Sequence, residues 1–95
     1  MNKQKIVKNP VTPGEILSEE FLKPLNLTQK KFADHIQVDV KTINRIINGR
    51  SSVTPDLALK FAAALETSPD FWLNLQVTLD IFKLSMQKQK LPKSI

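Results

Sequence analysis

The chain contains no cysteine. A disulfide frame and thiolate chemistry are therefore excluded. It has one histidine, His35, and only two glycines. There is no glycine-rich phosphate loop and no converging set of metal ligands, so an enzyme is the weakest reading and no cofactor or metal is implied. His35 reads as a surface or turn residue. No apolar run approaches the roughly 18 residues needed to span a bilayer. The N-terminus, MNKQKIVKNP, is basic but lacks the apolar stretch of a secretory signal. A cytoplasmic protein is the simplest expectation. Neither a long internal repeat nor a low-complexity segment is visible, and no run reads as a strand.

What remains is a chain of 95 residues, 41% hydrophobic, enough for one domain with a modest core. Its net charge of +5 is unevenly spread. Residues 1–11 carry Lys3, Lys5 and Lys8 with no acid. Residues 12–27 are acidic through Glu15, Glu19 and Glu20. Residues 28–51 are basic through Lys30, Lys31, Lys41, Arg45 and Arg50. The next block, 52–80, is acidic again, and Lys83, Lys88, Lys90 and Lys93 close the chain unopposed. Positive charge on one internal segment and both tails suits a polyanion such as DNA, although lysines on tails alone also serve solvation.

Residues 1–11 read as a flexible basic arm, because Pro10 and Pro13 discourage helix before Thr12. Thr12-Pro13-Gly14-Glu15 is a capping box with proline at the first helical position. The helix it opens buries Ile16, Leu17, Phe21 and Leu22 and ends at Pro24. Asn26 suits a left-handed turn. The stretch from Thr28 to Arg50 then reads as two short helices. Thr28 caps the first, which buries Phe32, Ala33 and Ile36. Asp39 caps the second, which buries Ile43, Ile46 and Ile47 and stops at Asn48-Gly49. Val38 plugs the angle between them. Val40, Lys41, Thr42, Asn44 and Arg45 are left facing outward, the make-up of a recognition helix in a helix-turn-helix.

Thr54-Pro55-Asp56 and Ser68-Pro69-Asp70 open two further helices by cap, proline and acid. Val53 is placed to staple onto Leu57, and Leu57, Ala58, Phe61, Ala62 and Leu65 form a buried stripe. The last helix, about residues 69–85, carries two apolar stripes. Phe71, Leu75, Leu79 and Phe82 form one, with Trp72 at its edge. Leu73, Val77, Ile81 and Leu84 form the other. One stripe suffices for packing; the second calls for a partner, and a symmetric homodimer is the expected one. Trp72 could serve core or interface. The tail, residues 86–95, reads as basic and flexible. The expectation is an all-α, five-helix domain over residues 12–85.

Three segments strongly resemble one family. Pro13 to Leu25, Thr42 to Arg50 and Thr67 to Gln76 are similar to the HigA-type antitoxins, also called plasmid-maintenance antidotes or virulence-associated protein I. These belong to the XRE group of lambda-repressor-like helix-turn-helix proteins. The resemblance implies a dimeric DNA-binding antitoxin that neutralises a HigB-type, RelE-like toxin and represses its own operon. Some relatives act as regulators without a toxin. The carry-over makes Gln29, Thr42 and Arg50 phosphate candidates. Lys41, Asn44 and Arg45 become candidates for base edges, and Val40 for a thymine methyl. Asn44 has an alternative role holding a turn or helix end, and Lys41 suits a phosphate equally well. Trp72, Leu73, Val77, Ile81 and Leu84 are the dimerisation candidates. Glu15, Glu19 and Glu20 offer a surface for a basic toxin, or simply a solvated helix face. Gln37 and Asn26 stand where the family commonly has glycine, so Gln37 must be left-handed or the turn must differ.

Overall fold

The computed structural model describes residues 9–87 and 89–95. Lys3, Lys5, Lys8 and Lys88, on which the expected arm and tail depend, lie outside the described residues. Five helical elements follow in order. Helix α1, Pro13–Ile16, runs directly into a π-helical stretch, Leu17–Leu22; α2 is Gln29–Ile36, α3 Val40–Ile47, α4 Pro55–Leu65 and α5 Pro69–Ser85. No strand occurs among the described residues. The capping box forms in full: the Thr12 hydroxyl accepts from the Glu15 N–H at 3.0 Å, and the Glu15 carboxylate accepts from the Thr12 N–H at 3.1 Å. Thr28, Thr54 and Ser68 each accept from the third helical N–H in the same way.

The helix ends share one device. Asn26, Gln37, Gly49 and Glu66 all take a left-handed backbone, with φ between 58° and 73°. After each, an N–H reaches back five residues: Leu27 to Leu22, Val38 to Ala33, Arg50 to Arg45 and Thr67 to Ala62, at 2.7–3.1 Å. These bonds satisfy carbonyls that a bare helix end leaves without partners. Only one of the four positions is glycine. Gln37 therefore makes the sharp turn in the left-handed conformation.

The core is a string of aromatic contacts. Phe32 of α2 meets Phe61 of α4 at 5.6 Å between ring centroids, and Phe61 meets Trp72 of α5 edge-on at 5.2 Å. Trp72 also touches Phe21 at 5.5 Å and Phe71 at 5.1 Å. Its indole N–H donates to the Thr67 hydroxyl at 2.8 Å, so the ring is buried without an orphaned donor. Around it lie Leu17, Leu22, Ala33, Ile36, Ile43, Ile46, Val53, Leu57 and Ala58, all buried. Val38 packs against this cluster, as its place between the two short helices suggests.

Two expectations for α5 are corrected. Trp72 is not at the edge of a stripe or on an interface; it has no exposed surface and is the centre of the core. The side of α5 that faces the domain carries Trp72, Gln76 and Leu79, whereas Phe71, assigned to the packing stripe, is 39% exposed. Spacing placed the seam one residue off, because Gln76, polar by type, is buried in it. Its carbonyl accepts from the Val53 N–H and its amide donates to Asp80, both at 2.9 Å, so burial leaves neither end unpaired.

Gly14 decides how α1 meets α3. A Cβ there would lie 2.1 Å from the Ile46 carbonyl oxygen and 2.7 Å from the Ile47 Cα. Only a hydrogen allows the two backbones to close. Gly14→Ala is expected to destabilise by about 1–3 kcal/mol through overpacking, lowering the melting midpoint by roughly 4–8 °C per kcal/mol. A variant melting with the wild-type chain would show that α1 does not press on α3.

Candidate nucleic-acid interface

Helix α3 presents two faces because its apolar residues recur at helical spacing. Ile43 and Ile46 are buried and Ile47 is half-buried against the core. Asp39 accepts from the Lys41 N–H at 2.8 Å and starts the helix where the sequence places it. The opposite face leaves Lys41, Asn44 and Arg45 exposed and Val40 half-buried. One shallow depression is lined by Gln29, Val40, Lys41, Asn44, Arg45 and Arg50. Six of the seven residues expected to meet DNA are thus brought together from α2, α3 and the loop after it. Thr42 is half-buried and does not line the depression.

The charge on this face is not internally offset. Lys30 pairs with Asp34 at 2.8 Å, Lys23 with Glu19 at 2.6 Å and Lys60 with Asp56 at 3.3 Å, all one helical turn apart. Lys41, Arg45 and Arg50 form no ion pair among the described residues. Such a surface holds a positive potential that exposed, self-paired lysines do not. The acids of the first helical segment are partly committed. Glu15 caps Thr12 and Glu19 holds Lys23, which leaves Glu20 outside these contacts.

Asn44 is occupied on both sides. Its amide N–H donates to the Gln29 carbonyl oxygen at 3.2 Å, and its own carbonyl oxygen accepts from Asn48 at 3.2 Å. Asn48 also donates to the Asn44 backbone carbonyl at 2.9 Å. The row Asn48–Asn44–Gln29 thus ties the end of α3 to the first residue of α2. Asn48 was expected only to help stop the helix. The signal for its second role was present in the sequence, since side chains four apart on a helix are neighbours.

Comparison with known proteins agrees with this geometry. The family described as helix-turn-helix matches residues 19–72. An HTH-type transcriptional regulator of Haemophilus influenzae is 39% identical over 84 residues, covering 88% of this chain and 78% of its own. Antitoxin HigA-1 of Vibrio cholerae is 37% identical over 92 residues, covering 97% of this chain and 87% of its own. Among solved structures, antitoxin GraA in complex with its operator is similar with a TM-score of 0.73 and 33% identity, covering 96% of this chain and all of that one.

The turn between α2 and α3 carries a measurable cost. Relief of the left-handed side chain at Gln37 is worth about 1–2 kcal/mol, and the extra freedom of an unfolded glycine removes about 0.5–1 of it. Gln37→Gly is therefore expected to raise stability by up to about 1 kcal/mol in urea or thermal unfolding. A lower midpoint would mean that the glutamine side chain makes a compensating contact.

Proposed function

This chain belongs to the helix-turn-helix family, in the group of the HigA-type antitoxins, and from that premise we propose that it is a DNA-binding antitoxin that represses its own operon as a homodimer. The observation that carries the reading is the depression at the α2–α3 junction, where Lys41, Arg45 and Arg50 converge with no acid among its lining residues. In this reading α3 lies in the major groove. Arg45, exposed near the middle of the helix, donates to guanine N7 and O6, and Val40 packs on a thymine methyl. Lys41 serves a base edge or a phosphate. Gln29 and Arg50 hold phosphates at the two margins and set the register, with Thr42 behind them. Asn44, tied to Gln29 and Asn48, acts mainly by orienting the Gln29 amide. Residues 12–85 form the working domain, with residues 1–11 a basic arm and 86–95 a basic tail.

A dimer follows from α5. Val77, Ile81 and Leu84 are each at least 50% exposed on the side away from Trp72 and Leu79. Phe71 and Leu75 continue the apolar surface into a cleft shared with Pro10 and Val11. An apolar face of this kind on a small domain calls for cover. A second copy would hold two recognition helices about one DNA turn, roughly 34 Å, apart. Leu73 is half-buried against the core and contributes less than its outward neighbours; Trp72 contributes nothing directly.

The toxin partner rests on relatives such as antitoxin HigA-1. In the antitoxin reading, a RelE-like ribonuclease toxin binds this chain. A second reading, a stand-alone repressor, is favoured by the relative named as a transcriptional regulator. Inspection of the neighbouring reading frame and co-purification of its product separate the two.

Arg45→Ala should cost about 1–3 kcal/mol on DNA upstream of the gene and relax sequence preference there. Asn44→Ala should instead weaken specific and random DNA alike. Equal loss for Arg45→Ala would make it a phosphate contact. Val77→Asp should give a folded monomer by analytical ultracentrifugation with weakened operator binding; a wild-type chain that stays monomeric at high concentration would refute the dimer.

A further inference from the structure

Beside the reading face lies a second cleft, lined by Thr12, Gly14, Gly49, Arg50, Ser51 and Ser52 on one side and by Gln76, Leu79 and Lys83 of α5 on the other. Its volume is about 100 Å³ and it is more enclosed than the depression over α3. Arg50 lines both, so the two are continuous. Arg50 and Lys83 come from distant parts of the chain and form no ion pair among the described residues. The carboxylates nearest in sequence to the cleft's walls are already occupied. Asp80 accepts from the buried Gln76 amide at 2.9 Å, and Glu15 accepts from the Thr12 N–H at 3.1 Å. The Thr12 hydroxyl is likewise taken, by the Glu15 N–H. Two cations therefore face one polar cleft with no anion of the chain to offset them, and the exposed hydroxyls of Ser51 and Ser52 stand beside them.

We propose that this cleft seats a phosphate of the DNA backbone next to the one held at the reading face, with Lys83 as a second, point-charge donor beside the guanidinium of Arg50. The proposal rests on the DNA-binding reading and extends it to a residue of α5. A phosphodiester oxygen accepts from both cations, and the fork of Arg50 fixes its direction. Lys83 lies on the domain side of α5, roughly opposite Val77 and Ile81, so the same helix would serve the dimer with one face and the DNA backbone with the other. The contact carries no sequence information. It fixes how deeply and at what angle α3 is held.

The test is the salt dependence of binding by the full chain to DNA upstream of its gene and to random duplex. For Lys83→Gln the slope of log K against log salt should become shallower by about 0.9, the value of one lost phosphate contact. The loss should be equal on both DNAs, and the sequence preference unchanged. Lys83→Arg should keep the wild-type slope. A slope unchanged in Lys83→Gln, or a loss confined to the specific site, overturns the proposal. Inorganic phosphate alone distinguishes the source of the anion. A thermal stabilisation of the wild-type chain by phosphate that vanishes in Lys83→Gln would assign the cleft to a free anion instead, and its absence supports the backbone. A wild-type chain that binds neither duplex would sink the DNA-binding reading itself, whereas normal wild-type binding with an indifferent Lys83 sinks only this seat.

Discussion

Burial of the Trp72 indole is the interaction on which the arrangement of the helices depends. Its ring touches Phe21, Phe61 and Phe71, and through Phe61 it reaches Phe32. The first helical segment, α2, α4 and α5 are thereby joined by one continuous set of edge and tilted ring contacts. Such contacts contribute beyond the area they bury. The polar tip of the ring is satisfied by Thr67, so nothing opposes its full burial. Helix α3 rests on this set through Ile43 and Ile46, and α1 presses on it from behind at Gly14. The reading helix is therefore held by packing on its inner face, which leaves its outer face free of structural duties.

That division explains the distribution of charge. Lysines on the supporting helices are paired with acids one turn away, and exposed pairs of that kind contribute little to stability. Those on the outer face of α3 and its following loop have no such partners among the described residues. A folded domain tolerates clustered like charge of this sort when a polyanion is its working partner. The amide row from Asn48 through Asn44 to Gln29 adds order without charge, linking both ends of the reading unit.

Much of the architecture was legible from local chemistry. Thr12, Thr28, Asp39, Thr54 and Ser68 cap helices where their sequence context predicts, because capping needs only an oxygen placed two or three residues before a free N–H. The left-handed stops were less visible. Gly49 and Asn26 are ordinary choices, Gln37 was readable only against a family pattern, and Glu66 has no propensity that announces it. The π-helical turn at Leu17–Leu22 left no mark on the apolar spacing, and nothing in those residues explains it. The seam of α5 was misplaced because periodicity weighs residue types and cannot see that Val53 offers Gln76 a buried partner.

The order of residues by itself determined the five helices, the outward set on α3 and the existence of an apolar surplus on α5. Each depends on caps and periods that act within a turn or two of chain. Only the tertiary structure decided that Trp72 belongs to the core, that Asn44 is tied to Gln29, and that Lys83 lies across a cleft from Arg50. These are juxtapositions of residues 15 or more positions apart. They follow from how close two backbones can pack and which polar groups find partners inside, and neither is a property of any local stretch.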